Sequence, residues 1–100
     1  MSQPTIGKFA NTAEGAAFYH AYDTVLARWP AGTTSFDLES EYGSTRINAY
    51  GPQDGSPVVL LPGGGATSTV WFANVAALGA RHRVYAVDIL GDAGRSVAGP

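Results

Sequence analysis

Three consecutive glycines, Gly63-Gly64-Gly65, follow the apolar run Val58-Val59-Leu60-Leu61 by way of Pro62. Without Cβ atoms the backbone there can turn sharply and hold amide N–H groups open to an incoming atom. Amides presented this way suit an anionic oxygen, either a phosphate or the oxyanion of a tetrahedral intermediate. The glycines alone do not choose between the two. A second glycine-bearing stretch, Asp88-Ile89-Leu90-Gly91-Asp92-Ala93-Gly94-Arg95-Ser96, follows the next apolar run. The 13 glycines of the chain concentrate at Gly63–Gly65 and Gly91–Gly99. Glycine gathered in loops after apolar strands marks tight turns or close approach to a ligand.

Loops of this kind need elements to hold them. Asn11 and Glu14 fit a capping box that starts a helix. Phe18, Tyr22, Val25, Leu26 and Trp29 then share one helical face, and Pro30 and Gly32 stop the helix near Trp29. Phe36 and Leu38 alternate with Asp37 and Glu39, while Thr45, Ile47 and Ala49 alternate with Arg46, Asn48 and Tyr50. With Tyr42-Gly43-Ser44 between them, these segments predict an antiparallel hairpin with one solvated face. Gly51 to Pro57 is a breaker-rich loop.

The pattern then changes. Val58–Leu61 and Val84–Val87, with Ile89 beyond, are continuously apolar, which suits parallel strands covered on both faces. Between them Trp71, Val75 and Leu78 keep helical spacing, with Thr67 or Ser68 as the cap. The fold class is α/β: an N-terminal helix, an antiparallel hairpin, then a parallel βαβ unit with a right-handed crossover. Residues 1–34 form a leader and amphipathic helix, and residues 35–100 a partial α/β core.

At 45% hydrophobic and 14% charged, the chain has the composition of a folded protein. A net charge of −2 gives no electrostatic reason to expect nucleic acid or an anionic membrane surface. The absence of cysteine excludes disulfides and thiolate-bound metals. Residues 1–20 carry no basic segment followed by an apolar one, and no apolar run approaches the ~20 residues of a membrane span. The expectation is a cytoplasmic protein with neither metal nor organic cofactor.

From about Phe36 to Val97 the sequence resembles the α/β-hydrolase family. The pieces come in the family's order: a hairpin, the strand and loop VVLLPGGGA, a helix opening near STVWF, then VYAVDILGDAGRS. The family has His-Gly-x at the first loop and an Asp-x-x-Gly-x-Gly-x-Ser-like segment after the next strand. Here the second motif carries one extra residue between its glycines, and Pro62 stands in the place of the His. Because the family's oxyanion donor is a backbone N–H of this loop, losing the His side chain does not remove it. What changes is the bracing, since Pro fixes φ but offers no hydrogen bond. The resemblance implies Gly64 as the donor, with Gly65 second, and serine-type acyl transfer to water on a small-molecule ester or related carbonyl substrate. It also implies that fold alone leaves the cleaved bond open, since members cleave amides, epoxides, C–C and C–halogen bonds.

The family's nucleophile lies in a G-x-S-x-G elbow on a later strand, followed by the acid and then the His. Residues 1–100 contain no such elbow: Gly94-Arg95-Ser96-Val97-Ala98 comes nearest and falls in the preceding loop. Serines 40, 44, 56 and 68 lack the frame. His20 and His82 precede where the elbow belongs, and both read as surface residues. The chain is therefore expected to be the N-terminal portion of a hydrolase, inactive by itself and prone to self-association through an unpaired sheet edge. One rival is a nucleotide-binding Rossmann half, which Gly63, Gly65 and Asp88 imitate, but Ser68 stands where the third glycine belongs. The other is a non-catalytic truncated fold that acts by binding a partner.

Overall fold

The computed structural model describes residues 9–99; most of the expected leader lies outside the described residues. Helix α1 spans Ala13–Leu26. Its cap is Thr12 rather than Asn11: Thr12 is extended, and its hydroxyl accepts from Gly15 N at 2.9 Å. Phe9 and Ala10 already sit in a helical turn whose carbonyl at Phe9 bonds Thr12 N, which places the cap one residue later. The predicted stripe is the packed face, with Tyr22 and Trp29 buried and Phe18, Val25 and Leu26 half-buried.

Strands β1 (Thr34–Ser40) and β2 (Gly43–Tyr50) form the hairpin, with Phe36 opposite Ile47 and Leu38 opposite Thr45. Strand β3 (Ser56–Leu60) pairs in parallel with β4 (His82–Val87), and a short β5 (Val97–Ala98) pairs with the start of β2. The sheet order is β1-β2-β4-β3, so β3 is an edge among the described residues. The crossover from β3 to β4 is a 3-10 helix, Ser68–Ala73, capped by Thr67, followed by the single turn α2, Val75–Leu78. Its apolar positions fall where the spacing placed them, but Asn74 separates the two pieces.

One face of the sheet is covered. Val84 and Ala86, with Leu60 and Tyr50 beside them in the ladders, pack under Trp29, Leu26, Trp71, Phe72, Val75 and Leu78. That arrangement corrects the reading of the hairpin. Asn48 and Tyr50, expected on a solvated face, lie opposite Ala86 and Val84 and therefore face the helices. Ile47 and Ala49 are buried as well, because β2 runs between two neighbouring strands and Ile47 is flanked by Phe36 and Val87. All seven residues of β1 are exposed, including Phe36 and Leu38. The apolar run of β3 is likewise covered on one face only: Val58 and Leu60 are half-buried, while Val59 and Leu61 stand exposed. Phe36, Leu38 and Val59 therefore share an apolar sheet face with Tyr85 and Val87 that no described element covers.

Candidate functional site

The glycine loop leaves the C-terminal end of β3 and projects from the sheet, and all three glycines are exposed. Ala66 N donates to Gly63 O at 3.0 Å, closing a four-residue turn with Gly65 in third place at φ +77°. A positive φ at that position is what a side chain resists, so the turn requires Gly65. Gly64 is different in its backbone alone: its φ is not in the left-handed region. A Cβ at any of the three glycines would meet no atom within 4 Å, so the whole turn stands open, as an approaching ligand would need.

The two candidate donors are not equivalent. Gly65 N–H lies 3.1 and 3.2 Å from the two carboxylate oxygens of Asp92. Ala93 N also donates to Asp92, at 2.8 Å. The Gly65 and Ala93 amides together hold the Asp92 carboxyl below its ordinary range, although the side chain is fully exposed. Gly64 N–H meets no protein acceptor among the described residues.

Beneath the loop lies a buried polar cluster that sequence reasoning missed. Asp88 ends the apolar run of β4 and is wholly buried. Its Oδ1 accepts from Ser68 N at 2.7 Å, and its Oδ2 accepts from Arg95 N at 2.8 Å and from the Tyr22 hydroxyl at 2.7 Å. Asn48 Nδ2 donates to Tyr22 Oη at 2.9 Å and to Ser68 Oγ at 2.8 Å. Asn48 Oδ1 accepts from Ser35 Oγ at 2.5 Å. Buried polar groups without partners are costly, and here each finds one. Gly94 is part of the fit: at φ +138°, a Cβ there would lie 2.5 Å from Asp88 Cγ. Burial pushes the Tyr22 phenol well above the usual tyrosine range, so it remains a donor. In the sequence Asp88 stands out as the acid directly after an apolar run and at the head of the second glycine-bearing stretch, but no local pattern ties it to Tyr22 or Asn48.

The remaining candidates separate. Asp88, sealed by three protein donors, cannot reach a ribose hydroxyl, which removes the acid from the Rossmann alternative. Ser96 is buried, accepts from Arg46 N at 2.7 Å and donates to Asp88 O at 2.5 Å, so it is structural. His20 is exposed, as expected. His82 is not: it is half-buried at the start of β4, and its Nδ1 is buried with no partner among the described residues. Neither histidine bonds a serine among the described residues, so no nucleophile–base pair forms here.

A search of family models returned no match. Individual relatives decide the family. Carboxylesterase YbfK of Bacillus subtilis is 41% identical over 90 residues, 90% of this chain, and its crystal structure superposes with a TM-score of 0.81 over 85% of the chain. The chain belongs to the α/β-hydrolase family. A second B. subtilis protein, the uncharacterized carboxylesterase nap, is 40% identical over 83% of the chain. The crystal structure of B. subtilis naproxen esterase superposes over 88% of the chain with a TM-score of 0.84 at 38% identity. The chain spans about 30% of the length of the curated relatives it matches. Asp92, in the stretch that carries one extra residue between Gly91 and Gly94, is the side chain that contacts Gly65 N. That contact braces a loop in which Pro62 replaces the usual His.

Proposed function

We propose that this chain supplies the oxyanion loop of a serine-type α/β hydrolase acting on small-molecule esters, with the nucleophile, acid and His contributed by polypeptide outside residues 1–100. The donor is Gly64 N–H, with Gly65 second. The observation that carries this assignment is the division of labour in the loop. Gly65 N–H is engaged by Asp92, whereas Gly64 N–H has no protein acceptor among the described residues. In the reaction, serine attacks the ester carbonyl with His as base, and charge gathers on the carbonyl oxygen. A preorganised amide aimed at that oxygen stabilises the transition state without reorganising. Carboxylesterase relatives support the substrate class.

The test is Gly64→Pro in a complete esterase in which residues 1–100 supply the N-terminal segment. Such an esterase is either the natural polypeptide or a fusion to the remaining part of a B. subtilis relative. Proline removes the N–H, and the backbone at Gly64 is not left-handed. Loss of one oxyanion donor lowers kcat by roughly 10²–10³-fold. A variant with native circular dichroism and undiminished kcat would exclude Gly64.

A further inference from the structure

Helix α1 lies outside the βαβ unit, yet it reaches the glycine loop through a closed circuit of hydrogen bonds. Gly65 N–H is held by Asp92. Farther along that second loop, Arg95 N donates to Asp88, and Asp88 in turn accepts from Ser68 N, at the start of the 3-10 helix that the glycine loop enters. Both loops are thus fastened to one buried carboxyl group. The Tyr22 hydroxyl is the one side-chain donor to the Asp88 carboxylate among the described residues, at 2.7 Å, and Asn48 orients it from the other side. Trp29 Nε1, in the turn that follows α1, adds a second tie, donating to Thr69 O at 3.3 Å.

We infer that Tyr22 is a positioning residue for the oxyanion loop: its hydroxyl fixes Asp88, and Asp88 fixes the two backbone segments that hold the glycine turn. The inference rests on the reading of that loop as the oxyanion donor. The physical reason is directional. An Asp88 Oδ2 that keeps only Arg95 N as a donor can rotate toward it, and Ser68 and the glycine turn follow. Oxyanion donors act over a narrow window of distance, so a displacement well under the size of an atom is felt in the rate. Phenylalanine keeps the packing of the buried ring and removes only the hydroxyl.

The experiment compares Tyr22→Phe and Asn48→Ala in the complete esterase, assayed with p-nitrophenyl acetate well below each variant's Tm. Inhibition by phenylboronic acid, which forms a tetrahedral adduct, is measured alongside. Tyr22→Phe is expected to lower kcat by about 10–100-fold. KM should stay within about twofold, and boronate inhibition should weaken in proportion to kcat, which a merely structural role would not produce. Asn48→Ala frees the phenol without touching Asp88 and should lower kcat in the same sense. Unchanged kcat in either variant, once folded, overturns the inference, as does a loss that only tracks the unfolded fraction. Gly64→Pro separates the two claims. If it abolishes turnover while Tyr22→Phe does not, only the role of Tyr22 fails; if it leaves turnover intact, the oxyanion reading itself fails.

Discussion

Residues 1–100 expressed alone are expected to self-associate, and the uncovered sheet face sets the scale. Phe36, Leu38, Val59 and Leu61 are 37%, 53%, 61% and 59% exposed. Taken together they leave roughly two whole side chains of apolar surface in water, worth ~3–6 kcal/mol per copy if buried, at ~1.5–3 kcal/mol each. Two copies packing these faces would gain about twice that, against an association cost of ~4–15 kcal/mol. The balance corresponds to weak association, strengthened because the β3 edge also offers unpaired backbone groups to another strand. Sedimentation velocity from about micromolar to millimolar chain, with a hydrophobic dye as reporter, measures it. Mass should rise with concentration, the dye should bind, and Val59→Lys combined with Leu38→Lys should suppress both. A monomer at every concentration, with slowly exchanging amides throughout β3 and no dye binding, would show that the exposed face is not a liability and refute the reasoning.

Two further outcomes follow from the polar cluster and the loop. Gly94→Ala in the complete esterase combines a strained positive φ with a Cβ 2.5 Å from Asp88 Cγ, and should cost ~2–4 kcal/mol of stability by urea unfolding; a loss under ~0.5 kcal/mol would mean the loop relaxes freely. The Asp92 carboxyl is depressed in the folded state, so its contact with Gly65 is present at neutral pH, above the unfolded value of ~3.9, and is lost as pH falls through the folded value. The Gly65 amide resonance should therefore titrate in acid below pH ~4, and an amide insensitive to pH down to ~2 would break the proposed brace.

Much of the architecture could be read from the residues. Alternation marked the hairpin, continuous apolar runs marked the parallel pair, and Gly63–Gly65 marked a loop where backbone must come close to something. The faces were harder. Alternation places Asn48 on the solvated face, where polar side chains of a strand usually point, yet it lies in the buried cluster because Tyr22, Ser68 and Ser35 supply it with partners. Those partners lie as far as 26 residues away in sequence, and no local pattern encodes them. Tyr22 counted correctly as part of the apolar stripe, but the stripe says nothing of where its hydroxyl points. Val59 and Leu61 read as buried on the strength of their type; cover depends on neighbouring elements, which a strand's own sequence does not reveal. The cap moved from Asn11 to Thr12 for a similar reason, a preceding turn at Phe9 and Ala10.

The donor can be observed directly. In the complete esterase, the nitrogen-15-labelled amide of Gly64 is followed by nuclear magnetic resonance before and after a phosphonate ester forms its tetrahedral adduct on the nucleophile. The account predicts that the Gly64 amide proton moves downfield and exchanges more slowly once it donates to the phosphoryl oxygen, while Gly65 stays close to its resting position on Asp92. An unchanged Gly64 resonance, with the shift appearing at Gly65 or elsewhere, would contradict it.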